Sequence, residues 1–431
     1  MTGGKFSYRT EEELLAAAES QGAPLSLSHD LSALKTPLAV PGSDVTLKNR
    51  FTVHPMEGFD SLPDGGPGEL TLRRIRRMAS GGAGLVWAEA TAVTEDGRTN
   101  RGQLWIRRET LDGFKRMAEA AHEASGGAPI ILQLTHSGRF SKPQNVPAPV
   151  IAMHNPVMDG KMPLDPSLPV VTDEYLDALP EKFGEAAALA KEAGFDGADV
   201  KCCHKYLFSE LLSAYHRPGR YGGSFENRSR LFLDSIRAAA VHGDRNFVIA
   251  SRFGAFDCIP YPWGFGMDRD DPAKPDWEEP DRLYRLMAEC GVRLCDMTLG
   301  SPYYNPHVNR PYDNGGYDPP ESRLAGVKRL LDAAAHMKRP SPRSPSSARG
   351  TVIYGSSLRS RRPRRSARVT PTRQASDGWP SRTRISPGTS SKKARWILRR
   401  SASPARCAPS SCGKCTRRVV RSGTGKSISP C

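Results

Sequence analysis

GLVWAEATAV (84–93) is a near-continuous apolar run, and runs of the same character recur along the chain: APIILQLTH (128–136), GFDGADVK (194–201), NFVIASRF (246–253) and GVRLCDMTLG (291–300). NRFTVHPM (49–56) supplies a first member of the series. Such runs are expected of parallel strands covered on both faces. Helical patterns separate them. In YLDALPEKFGEAAALAKEAG (175–194), Leu176, Leu179, Phe183, Ala187 and Ala190 recur at helical spacing, and Gly194 supplies the stop. In DRLYRLMAECG (281–291), Leu283, Leu286, Met287 and Cys290 form the apolar face before Gly291.

Six strands alternating with helices predict a parallel α/β fold. A doubly wound sheet and a (β/α)8 barrel share this pattern. The early strand–helix turns lack the glycine fingerprint of a dinucleotide fold, which favours the barrel. Polar residues gather just after the strand ends: Glu57, His136, Lys201, His204, Arg252 and Thr298. A barrel places its chemistry there.

The net charge of +16 over 431 residues conceals a break. Residues 341–431 hold 22 Lys and Arg against one acid, Asp377, whereas residues 1–340 hold 40 basic and 45 acidic residues. Only the tail is basic, so the whole-chain charge is no argument for specific nucleic-acid binding, although an Arg/Ser tract would hold polyanions nonspecifically. No stretch of 18 apolar residues predicts a membrane span. The first residues, MTGGKFSYRTEEELLAAAE, contain no signal-peptide core, and a cytoplasmic protein without a disulfide framework is expected.

NRFTVHPMEG (49–58), WAEATAV (87–93), QLTHSGR (133–139), VIASRF (248–253) and above all the run from Lys201 to Arg230, with YGGSFENR (221–228), resemble the old yellow enzyme family, in particular its dienoyl-CoA reductase-like branch. The likeness covers about residues 45–335. It implies an FMN-dependent NAD(P)H:flavin oxidoreductase on a (β/α)8 barrel, in which reduced flavin passes hydride to an activated alkene. In this family a His-x-x-His/Asn pair polarises the substrate carbonyl, and a Tyr two residues further on protonates the α-carbon. The sequence reads Lys201-Cys-Cys-His204-Lys-Tyr206. Tyr206 is thus implied as proton donor and His204 as carbonyl anchor, while Lys201 stands where the first His is expected. A lysine is a flexible cation with several donors and can serve an oxyanion or a carboxylate.

By the same resemblance Gln133 pairs with the flavin pyrimidine edge, Arg252 faces N1 and O2, and Pro55, Met56 and Ala90 line the ring. Positive charge at Arg252 favours the anionic reduced flavin. Alternate residues of a strand face opposite ways, so at most one of Cys202 and Cys203 points into the site.

A barrel needs two more strands, and the seventh is due near residue 345. PSPRSPSSARGTVIYGSSLRSRRPRRSARV (340–369) stands there instead. A shift of one base explains the change, since synonymous codons for Ser346 to Arg359 allow the shifted reading VVGTGYSYLRQLAP, which resembles the family's Gly-rich phosphate loop. The same frame over Ser401 to Val420 allows four cysteines spaced C-x2-C-x2-C-x11-C. A [4Fe–4S] cluster is therefore expected only of the unshifted family form, and no metal site is assigned to the actual Cys407, Cys412, Cys415 and Cys431.

The expected organisation is an N-terminal extension (1–44), a flavin oxidoreductase barrel truncated after six strands (45–340) and a basic, out-of-frame and disordered tail (341–431). The expected partner is a small-molecule substrate, with no membrane and no specific nucleic acid. The competing expectation is an inactive frameshifted remnant unable to hold FMN, with polyanion binding by the tail as a further alternative.

Overall fold

The computed structural model describes residues 8–312 and 316–339, together with the backbone of two short strands at Thr351–Tyr354 and Thr370–Pro371. The chain divides into units Met1–Ala375 and Ser376–Cys431, the second of which lies outside the described residues. The main sheet consists of β1 (Thr52–Val53), β2 (Leu85–Ala92), β3 (Ile130–Thr135), β4 (Gly197–Val200), β5 (Val248–Gly254), β6 (Val292–Thr298), β7 (Thr351–Tyr354) and β8 (Thr370–Pro371). All neighbours are parallel, and spatial order follows chain order from β1 to β8. A doubly wound sheet would reverse its order at a switch point. This sheet never does, which makes it a barrel wall.

Helices α1 (Glu69–Ala79), α2 (Leu111–Ser125), α3 (Asp173–Glu192), α4 (Phe225–Ala240), α5 (Glu278–Glu289) and α6 (Arg323–Met337) follow β1 to β6 in turn. The faces read from sequence are the packed ones: Leu176, Leu179, Phe183, Ala187 and Ala190 are buried on α3, and Leu283 and Met287 on α5. Leu286 and Cys290 are half-buried. Gly194 and Gly291 end their segments at φ +91° and +116°, which suits glycine.

The ring does not close, because among the described residues β1 and β8 are not paired. The incomplete barrel expected from the sequence therefore stands, with one difference. Thr351–Tyr354 pairs with β6 in register from Leu294–Thr351 to Met297–Tyr354, and Thr370–Pro371 adds to its far side. TVIY is rich in β-branched and aromatic residues, and β6 would otherwise present a row of open hydrogen-bonding groups. The other residues of the basic tail, its cysteines and the frame-shift reading lie outside the described residues.

Two apolar layers flank the strands. Val86, Ala88, Ile130, Leu132 and Leu134 meet the helices. Leu85, Trp87, Ile131, Val248, Ala250 and Leu294 form a separate cluster with Val40 and Leu47. Leu47 belongs to the antiparallel pair Leu38–Ala39 with Thr46–Leu47, Val40 follows the first of these strands, and both cap this inner cluster. A Cβ at Gly197 would lie 2.6 Å from Ile131 Cδ1 and 2.3 Å from the Val248 carbonyl oxygen. Glycine lets the inner layer close.

Candidate active site

Above that apolar layer the strand residues become polar. Asp199 on β4 accepts three hydrogen bonds: from Trp87 Nε1 (2.8 Å) and Gln133 Nε2 (2.6 Å) at Oδ2, and from the Arg252 backbone N–H (2.7 Å) at Oδ1. Burial pushes its carboxyl up to about 6, even though these donors favour the charged form. Asp199 thereby fixes the amide of Gln133, its register partner on β3.

A bulge in β2 brings Ala90 into this layer. Trp87 is opposite Ile131, but Ala90 rather than Glu89 is opposite Gln133. Glu89 is instead held by Arg74 of α1 and by the Gly58 N–H. Pro55 is buried and Met56 half-buried at the end of β1.

Arg252 is anchored by Asp296, its register partner on β6, at 3.1 Å from Nε to Oδ2. His54 Nδ1 is 3.0 Å from the same oxygen. Burial raises the Asp296 carboxyl, but the charges of His54 and Arg252 outweigh it and leave the group below the usual carboxylate range. Arg252 Nη1 also reaches the Pro55 carbonyl at 3.4 Å. Arg252 Nε and Asp296 Oδ1 remain buried without a hydrogen bond. A cavity of about 20 Å³ touches His54, Arg252, Asp296, Thr298 and Asn309 and has room for one water.

The segment after β4 turns sharply, with His204 at φ +67° and Lys205 at φ +59°. Buried partners hold this strained turn: Lys205 Nζ donates to Ser213 Oγ (2.6 Å) and pairs with Asp257 Oδ2 (3.0 Å). Lys201, His204 and Tyr206 are all buried there. Lys201 Nζ stands 3.9 Å from the centre of the Tyr206 ring. Burial lowers the Lys201 ammonium and, with the charges of Arg252, Lys201 and Arg310, holds His204 well below its usual range and therefore neutral. Burial raises the Tyr206 hydroxyl well above the usual range, so it keeps its proton at neutral pH. Its oxygen lies 2.9 Å from that of Tyr303, whose ring stacks on Phe140 at 4.0 Å.

The structure thus gathers Lys201, His204, Tyr206, Gln133, Arg252, Pro55, Met56 and Ala90 at the C-terminal ends of β1 to β5. Asp199, Asp296 and Tyr303 belong to the same assembly, and sequence reasoning missed them. A lone acid inside an apolar strand, as in GADV or LCDM, was the available signal for the first two. Cys203 is influenced by Arg252 and Lys201, whereas Cys202 is influenced by Asp257 and Lys205, in keeping with alternation. Burial raises the Cys203 thiol to about 12, so neither cysteine supplies a ready thiolate. His136 has a structural task, with Nε2 2.8 Å from the Tyr175 hydroxyl and Nδ1 accepting from the Gly138 N–H. A cleft of about 580 Å³ shares Trp263 with the cluster around Tyr206 but is lined by none of the residues selected from sequence.

An ordered parallel barrel wall with a polar assembly at the C-terminal strand ends defines the class, a TIM-barrel protein with an enzyme-like site. The chain belongs to the NADH:flavin oxidoreductase / NADH oxidase family, whose model matches residues 34–273. It is 35% identical over 210 residues to NADPH dehydrogenase of Bacillus velezensis, covering 48% of this chain and 59% of that protein. Similarity to NADPH dehydrogenase of Listeria welshimeri is 34% over 263 residues, covering 60% and 71%. The chain therefore spans less than two thirds of the Bacillus relative. In fold it resembles the old yellow enzyme homologue from Zymomonas mobilis, with a TM-score of 0.51, 22% identity and coverage of 69% and 79%.

No helix among the described residues is long and apolar enough to cross a membrane.

Proposed function

We propose that the chain is an FMN-dependent oxidoreductase that draws on NAD(P)H and reduces an activated alkene in the cytoplasm. One observation carries this reading: buried Lys201, His204 and Tyr206 stand at the same barrel mouth as an oriented Gln133 and a buried Arg252. The residues fit a flavin. Gln133 is held by Asp199, and the buried Arg252 is held by Asp296 through Nε at the same barrel mouth. Gln133 and Arg252 would hold the polar edge of FMN, with Pro55, Met56 and Ala90 against its ring. FMN, when bound, supplies hydride to the β-carbon.

His204 and Lys201 donate hydrogen bonds to the substrate carbonyl oxygen and draw electron density from the alkene. Tyr206 delivers a proton from its hydroxyl to the α-carbon. Tyr303, hydrogen-bonded to that hydroxyl, orients it. The Tyr303 ring stacks on Phe140 beside the transfer.

Anaerobic turnover of 2-cyclohexenone with NADH or NADPH tests the reading. Replacing Tyr206 by Phe should lower turnover by about 10²- to 10⁴-fold, the usual range for a lost general acid. Equal turnover by wild type and Y206F would refute the assignment.

Among the described residues the edges of β1 and β8 are unpaired, which favours a second reading, an inactive remnant that cannot retain FMN. It predicts colourless, aggregating protein. Polyanion binding confined to residues 341–431 would be a side effect of composition under either reading.

A further inference from the structure

Tyr303 touches the proton donor assigned above, yet its ring is open. The residue is 37% exposed, whereas Tyr206, whose hydroxyl oxygen lies 2.9 Å from its own, is 2% exposed. Phe140, itself buried, covers one face of the Tyr303 ring, with centroids 4.0 Å and planes 22° apart. Tyr206 takes the hydroxyl end. The exposure therefore belongs to the other face and to the edge of the ring. Nor can the ring easily fold away. The Tyr303 N–H donates to Ser301 Oγ at 3.3 Å, and Ser301 Oγ donates to the His204 carbonyl at 3.2 Å. Asn305 closes the turn: its Oδ1 accepts the Ser301 N–H at 2.7 Å, and its Nδ2 donates to the Asp257 and Cys258 carbonyls at 2.9 Å. Ser301 and Asn305 are both buried. An open aromatic face is thus tied to the turn that carries His204 and Tyr206, with little ordering left to lose on binding.

We propose that Tyr303 is a specificity-determining residue: its open face stacks on an aryl group that the substrate carries at the α-carbon of the reacting alkene. The inference rests on the oxidoreductase reading for the identity of the site. In that reading the Tyr206 hydroxyl serves the α-carbon, and the Tyr303 ring adjoins that hydroxyl. The substituent that meets Tyr303 is therefore the one on the α-carbon, since the carbonyl side belongs to His204 and Lys201. Two aromatic rings in offset or edge-on contact gain more than their buried area alone provides. A saturated ring of similar size buries its area but offers no π face. The site should accordingly separate the two by planarity rather than by apolar bulk.

The test is equilibrium dialysis of 2-phenyl-2-cyclohexenone and 2-cyclohexyl-2-cyclohexenone against the full chain in FMN-containing buffer. Wild type should bind the phenyl compound about three- to tenfold more tightly, the range expected of one aromatic pair. Tyr303→Phe keeps the ring and loses the hydroxyl, so it should keep the preference. Tyr303→Leu keeps apolar area without a π face, so its preference should fall to about onefold. A preference that survives in Y303L, one that vanishes in Y303F, equal binding of the two compounds by wild type, or failure of wild type to bind either of them overturns the proposal. If Y303L does not fold, wild type and Y303F carry the test, because loss of the preference with the hydroxyl alone would refute stacking. Flavin retention is read separately from flavin fluorescence. A chain without flavin sinks the oxidoreductase reading, while the dialysis ratio still decides the role of Tyr303.

Discussion

Gln133 and Asp199 face each other on neighbouring parallel strands, and Gln133 Nε2 donates to Asp199 Oδ2 across 2.6 Å. The contact sits where the apolar barrel floor gives way to the polar layer. It couples a residue assigned to the cofactor edge to one that touches only protein. Since the Trp87 indole and the Arg252 N–H share the same carboxylate, a single acid aligns β2, β3, β4 and β5.

Asp199→Asn should expose that dependence. An ionised carboxylate accepts all three bonds, whereas an amide turns an N–H₂ toward a donor. The expected loss is about 1–3 kcal/mol, the usual cost of an unsatisfied buried group. Urea unfolding measures it. A midpoint equal to that of wild type would remove Asp199 from this role.

The same residue makes stability depend on pH. Its carboxyl titrates at about 6 when folded, against an ordinary 3.8. The folded chain thus keeps a proton that the unfolded chain has released, so the contribution is complete below about pH 3.8 and is lost as pH rises through about 6. The shift corresponds to roughly 3 kcal/mol at most. Wild type should lose this increment relative to D199N between pH 4 and 7, and parallel stability profiles would contradict the assignment.

Lys205→Met should act on folding. Asp257 would be left as a buried acid without its cation, and Ser213 would lose a donor. Breaking a buried pair from one side costs about 3–5 kcal/mol. The turn carrying His204 and Tyr206 should loosen with it. Thermal unfolding within a degree or two of wild type would show that the turn is held by other contacts.

Much of the fold was legible because β2, β3, β5 and β6 are buried on both faces and read as continuous apolar runs. β1 was harder, since only Thr52 and Val53 of its octapeptide pair. The bulge that turns Ala90 rather than Glu89 toward Gln133 leaves no mark in the sequence. The site divided along the same line. Lys201, His204 and Tyr206 are close in sequence and came from one motif. Asp296 acts on Arg252 from 44 residues away, and Tyr303 meets Tyr206 across 97. Such pairings exist only once the strands are side by side. Lys205 lay inside the motif, but its burial against Asp257 could not be read from its neighbours.

The most direct test of the account is a titration of the purified full chain with FMN, followed by quenching of flavin fluorescence. The account predicts saturable binding at about one FMN per chain, weakened at least tenfold by Arg252→Met and by Gln133→Leu. Absence of quenching in wild type, or equal affinity in wild type and both variants, would contradict it.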